Sequence, residues 1–202
     1  MRLGLAVALA ASWLAAGTAW AAEDAGTVLT LKGDCFVEAG GQKSTLKPGD
    51  AVHVGDKVEV PDGAKLKLRM ADGSVISAAS GTTVTIAAYS SDGSGRDAEL
   101  SLAAGLLRAV VTPASGSSRF EVDTATGVAA VRSTDWFVEA GAGAMRVGVL
   151  SGVVNMESRA TKHGVDIPAG RGSKLEAGKD PEPARVWAKP EFDKVIAATN
   201  LD

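Results

Sequence analysis

Apolar and polar residues alternate along much of this chain in short stretches. Lys65, Leu66, Lys67, Leu68, Arg69 and Met70 do so strictly, which puts three apolar side chains on one face of a strand and three cations on the other. Asp72 and Gly73 follow at once, and Val75 and Ile76 resume an apolar run, so the segment predicts a hairpin turned by glycine. Turn residues recur between positions 40 and 172 at spacings of about 8 to 12 residues, the interval of many short strands and not of strand–helix–strand units. Runs rich in strand formers lie between them at 82–86, 120–123, 136–139 and 145–150. The expectation is an all-β domain over residues 26–178, of short antiparallel strands stacked in two layers. A solenoid-like course is expected, with a β-sandwich as the alternative. Leu66, Leu68, Met70, Val84, Ile86, Val122 and Val149 should line its interior.

Two patterns break this rhythm. Phe-Val-Glu-Ala-Gly occurs at 36–40 and again at 137–141, but the flanking residues differ, which indicates a reused hairpin and not a duplicated domain. The tail, residues 179–202, opens with Pro181 and Pro183 and then predicts the one short helix. Pro190 suits a first helical position, Glu191 and Asp193 complement the positive N-terminal dipole, and Phe192, Val195, Ile196 and Thr199 recur at helical spacing. So short a helix is marginal alone, so docking on its own sheet is the expectation.

The first residues bear on the compartment. Arg2, an apolar run over 3–16 and the small-residue site Ala19-Trp20-Ala21 form the pattern of a secretory signal peptide over residues 1–21, with cleavage near Ala21/Ala22. No second apolar stretch long enough to span a membrane follows, so the expectation is an exported, periplasmic chain without a transmembrane segment. Cys35 stands too far past that site to carry a lipid. As the only cysteine it closes no internal disulfide, and it reads as a small buried hydrophobe.

Composition narrows the partners. The net charge is −3, with no long run of either sign, which favours neither nucleic acid nor an anionic membrane. Aromatic residues make up only 4% of the chain, so stacking platforms for bases or sugars are scarce.

A search for reaction chemistry returns little. His53 and His163 are the only histidines and share no ligand spacing. No Gly-x-Ser-x-Gly elbow occurs, and no base is identifiable for a cysteine nucleophile. Gly141 and Gly143 suggest a dinucleotide loop, but Arg146 stands where the third glycine would be and no helix pattern follows. Asp92, Asp97 and Glu99 could gather oxygens around calcium, although their spacing is not that of a calcium loop. Asp50, Asp56, Asp62 and Asp72 sit beside turn residues and read as turn stabilisers. The expectation is a protein that is not an enzyme and that uses no cofactor or metal.

One resemblance rests on longer stretches. Gly55 and Asp56, the alternating strand to Met70, and then Asp72, Gly73 and Ser74 resemble the opening of a FecR domain. The likeness continues through 100–111 around Gly105, then Phe120, Val122 and Thr124. It is most specific at Val131, Arg132, Ser133, Thr134, Asp135, Trp136, Phe137 and Val138, followed by residues 149–154. Together these cover residues 46–174. Ser133 departs from the family, which usually has glycine between the arginine and the threonine.

The resemblance implies an extracytoplasmic module of the kind found in inner-membrane regulators of iron–siderophore signalling. These sense an outer-membrane transporter and control a sigma factor through one membrane helix. Here it implies a non-catalytic interaction or sensing module that binds a protein or envelope partner through exposed strand edges, without its own transmembrane relay. A periplasmic protein binding a glycan or small ligand is the alternative. Asp72, Gly73, Ser74, Arg132, Ser133, Thr134, Asp135, Trp136 and Phe137 are the signature, with a structural or a partner-binding role. Trp136 and Phe137 should point to opposite faces, at least one of them into the core, and Arg132 should pair with an acidic neighbour.

Overall fold

The structure, a computed structural model, describes residues 23–92 and 95–201. Residues 1–22, where the signal peptide is expected, residues 93 and 94 within the loop considered for calcium, and residue 202 lie outside the described residues.

Two sheets stack face to face, and the chain climbs through them by passing back and forth. It enters the first layer with β1 (Asp24–Lys32), crosses to the second for the hairpin of β2 (Phe36–Ala39) and β3 (Gln42–Thr45), and returns with β4 (Ala51–His53). β5 (Lys57–Val60) lies in the second layer, and β6 (Lys65–Met70) and β7 (Val75–Ala78) form the expected hairpin in the first. β8 (Thr82–Asp92) and the first part of β9 (Gly95–Val110) pair in the second layer. β10 (Ser117–Asp123) and β11 (Gly127–Val131) follow there, and β12 (Asp135–Gly141) and β13 (Ala144–Ser151) return to the first. β14 (Val153–Ser158) and β15 (Gly164–Pro168) extend the second layer, and β16 (Arg171–Glu176) and β17 (Arg185–Val186) extend the first.

The all-β, two-layer expectation therefore holds, with one refinement. β9 and β10 run parallel, where every pairing was expected to be antiparallel. The reason lies in β9, which is long enough to serve both layers. Its first half pairs with β8 and β10, and its second half pairs with β7 and β12. Gly105 marks the change of layer. Its φ is +100°, and a Cβ there would lie 2.5 Å from Thr82 Oγ1, so only glycine fits the bend.

The expected interior residues are all buried: Leu66, Leu68, Met70, Val84, Ile86, Val122 and Val149 belong to one continuous core between the layers. Trp136 and Phe120 are its largest members, and burying each large apolar side chain contributes about 1.5–3 kcal/mol. Cys35 lies in the same core, and burial pushes its thiol up from its ordinary range, with Asp34 adding to the shift.

The tail docks as expected. Trp187 lies over Gly148 and Gly172 on the outer surface of the first layer: a Cβ on Gly172 would fall 2.2 Å from the Trp187 ring, and one on Gly148 2.5 Å from the Phe137 ring and 2.9 Å from Trp187. Helix α1 (Lys189–Thr199) follows, and Glu191 accepts the Ala188 backbone N–H at 2.9 Å, closing its first turn. Phe137, Trp187 and Val195, flanked by Leu106, Leu150 and Phe192, form a second apolar cluster separate from the main core. The last turn has no basic residue of its own. Lys65 of β6 supplies the charge, donating to the carbonyls of Ala197 at 2.7 Å and Asn200 at 3.1 Å.

Candidate functional site

Arg96 organises the middle of the molecule. It shares the parity of Ala98, Leu100 and Leu102 on β9, so the alternation that buries those residues turns its guanidinium inward as well. Its side chain is 0% exposed, a burial that costs heavily unless the charge is paired and bonded; both terminal nitrogens are engaged, while Nε has no partner. One terminal nitrogen donates to Asp72 at 2.5 Å and to the Thr112 carbonyl at 2.9 Å. The other donates to Ser118 Oγ and to the Arg132 carbonyl, both at 2.7 Å.

Asp72 is the second centre of this network. Its carboxylate accepts from the Tyr89 hydroxyl at 2.7 Å, the Ser74 hydroxyl at 2.7 Å and the Ser74 backbone N–H at 2.9 Å. Burial alone would raise its pKa, but the bonds from Arg96, Tyr89 and Ser74 outweigh burial and hold the carboxyl below its usual range. Tyr89 shifts the other way: burial, and then its bond to the Asp72 anion, hold the phenol well above its ordinary value. Ser74 Oγ in turn accepts the Thr112 backbone N–H at 3.1 Å. The Asp72-Gly73-Ser74 turn is thus joined to the segments after β9 and β11.

The remaining signature residues divide by face. Trp136 enters the main core, while Phe137, on the opposite face of β12, is also fully buried because the tail covers it. Asp135 receives a two-pronged bond from Arg108, at 3.0 and 2.8 Å. Thr134 is buried, and Ser133 is not among the described non-glycine residues with positive φ, so the departure from glycine brings no backbone strain there. Arg132 differs from the expectation. No carboxylate pairs with its exposed side chain among the described residues, whereas Arg96, Arg108, Arg119, Arg146, Arg159 and Arg185 all have acidic partners. Of the acidic residues lining the adjoining groove, Glu121 is held by Arg119 and Asp166 accepts from Asn155.

Arg132 and Ser133 stand where two grooves adjoin on the outer surface of the second layer. One, of about 470 Å³, crosses β10, β11, β14 and β15 over Ala130 and Val153; the other, of about 360 Å³, runs along residues 113–118. On the same surface Arg119 holds Asp97 at 2.8 Å and both Glu99 and Glu121 at 2.9 Å. Asp97 and Glu99, considered above for calcium, are therefore committed to an arginine, and no metal-holding group of acidic, histidine or cysteine side chains occurs among the described residues. His53 lies between Asp24 at 3.2 Å and Asp56 at 3.4 Å, and His163 pairs with Asp180 at 3.0 Å while its backbone N–H donates to the Thr161 hydroxyl at 3.4 Å. Gly141, Ala142 and Gly143 form the β12–β13 hairpin turn, not a nucleotide loop.

A family model described as FecR protein matches residues 56–155. This stretch is a FecR domain. It contains both halves of the network, Asp72 and Arg96, together with the Arg132–Phe137 signature. No curated protein matches the chain. Two crystal structures of a candidate anti-sigma factor from Parabacteroides distasonis ATCC 8503 share this fold, at 16% identity. Their TM-scores are 0.57 and 0.56, and the match covers 68% of this chain and 62% of theirs. The chain thus spans less than two thirds of the structures it resembles.

Arg96, Tyr89, Thr112, Ser118 and Trp187 escaped the reading of the sequence. For Arg96 a signal was present: an arginine in phase with three apolar residues of one strand. The others gave none, because a lone hydroxyl or indole does not announce its partner.

Proposed function

We propose that this FecR domain protein is a non-catalytic extracytoplasmic interaction or sensing module that binds a protein partner of the cell envelope. The reading includes export to the periplasm, on the strength of the N-terminal pattern, and operation without a transmembrane relay of its own. No helix among the described residues is long and apolar enough to cross a membrane.

The observation that carries the proposal is the pair of open ends. β3 and β4 close one end of the stack and β15 and β17 the other, each bonded to a single neighbour, so their outer backbone groups are available to another strand. β3 is exposed at every residue and polar. The glycan-binding alternative gains no support. Trp136, Trp187, Phe120, Phe137 and Tyr89 are buried, and Phe36 and Phe192 are half-buried, so among the described residues no fully exposed ring is offered to a sugar.

The test is affinity capture by the full chain from a periplasmic extract, run beside retention on peptidoglycan. A protein captured by the native chain and lost with Ser44→Lys or Gly164→Lys, which place a charge on β3 or β15, is the expected result. Retention on peptidoglycan without a captured protein would replace this reading with the alternative.

A further inference from the structure

The trough centred on Arg132 is built by the network beneath it. The Arg132 carbonyl is held by buried Arg96, and the Thr134 carbonyl by the Val111 backbone N–H at 2.9 Å, so the backbone on both sides of Ser133 is fixed. An exposed guanidinium without an acidic partner is free to meet an anion, and its fixed backbone leaves only side-chain rotamers to be ordered. Beside it lie the hydroxyls of Ser117 and Ser133, and on the far side Ala130 and Val153, the latter 51% exposed, form an apolar floor.

Charge varies along the trough. Arg132 stands at its centre, while Glu121 on β10 and Asp166 on β15 flank the row through Ala130 and Asn155 from opposite sides, Glu121 held by Arg119 at 2.9 Å and Asp166 accepting from Asn155 at 2.8 Å. A uniformly acidic ligand would be repelled there, and a uniformly basic one would be repelled at Arg132. The groove over Ala130 crosses four neighbouring strands, β10, β11, β14 and β15. At about 4.8 Å between strands that is roughly 14 Å, the reach of four or five extended residues.

We propose that this trough binds a short extended segment of a partner protein, with a carboxylate on Arg132, a small apolar side chain over Ala130 and Val153, and a neutral or basic residue toward Asp166. The proposal rests on the partner-binding reading above and gives it a second surface, on the sheet face and apart from the strand edges.

A phage-displayed library of random heptapeptides, selected on the full chain, tests it. The expected consensus has an acidic residue one or two positions from Ala or Val, and binding of the selected peptides should fall about tenfold or more with Arg132→Glu. Arg132→Gln, which keeps the backbone and removes the charge, should act in the same direction, and Val153→Asp should also weaken binding. Ser44→Lys on β3 should leave binding unchanged. Peptides that bind Arg132→Glu as well as the native chain overturn the trough while leaving partner binding through strand edges intact. A selection that yields no consensus also overturns the trough, and the capture experiment then decides the broader reading separately.

Discussion

Replacing Arg96 with Met removes the cation from the network while keeping most of the side chain's volume. Asp72, 6% exposed at its side chain, is left without its ion partner, and the Thr112 and Arg132 carbonyls lose their donor. Breaking a buried pair from one side costs about 3–5 kcal/mol, because the remaining charge is stranded. Tyr89 and Ser74 still donate to Asp72, which places the expected loss near the middle of that range, about 4 kcal/mol. For a chain of this size each kcal/mol lowers Tm by about 2–4 °C, so the midpoint should drop by about 8–16 °C. Thermal unfolding followed by circular dichroism measures it, with a urea titration as the second probe. Hydrogen exchange should quicken at the Val111 and Thr112 amides, which this network fixes. The double variant Asp72→Leu/Arg96→Met carries no stranded charge and should be more stable than Arg96→Met alone. A midpoint within about 3 °C of the native chain, or a double variant less stable than the single one, would refute the view that this network organises the domain.

Other outcomes follow from the same geometry. The Asp72 carboxyl titrates below its usual range in the fold, so its contribution is complete above about pH 4 and is lost as pH falls through the lowered folded value. Asp72→Asn should therefore flatten the acid limb of stability against pH, and an unchanged limb would show that other carboxylates dominate. Trp187→Ala should cost about 3–5 kcal/mol and increase binding of a hydrophobic dye, since Phe137 and Leu150 lose their cover. Deleting residues 189–202 should lower the unfolding midpoint without abolishing the fold, because the main core forms separately; an unchanged midpoint would contradict docking. Gly172→Ala should lift the Trp187 ring, costing about 1–3 kcal/mol and shifting its fluorescence to the red in a Trp136→Phe background.

The buried network and the proposed binding surface share one stretch of chain. Arg132 exposes its side chain to the trough while its carbonyl binds the buried guanidinium of Arg96, so changes that loosen the Asp72 turn should be felt at the proposed binding surface. The signature residues accordingly have mixed roles. Asp72, Ser74, Asp135, Trp136 and Phe137 hold the fold, and Arg132 and Ser133 face outward.

Much of this was legible in the order of residues. Strict alternation from Lys65 to Met70, with Asp72 and Gly73 behind it, specified a hairpin and its buried face, since neighbouring side chains on an extended backbone must point opposite ways. The helix after Ala188 was equally plain, because Pro190 and Glu191 act on the backbone within one turn. The partners were not legible. That Arg96 meets an aspartate 24 positions earlier, that β9 belongs to both layers, and that Trp187 rests on Gly148 and Gly172 all depend on which strands become neighbours. Local periodicity fixes the direction of a side chain, but only the completed stack determines what it meets there.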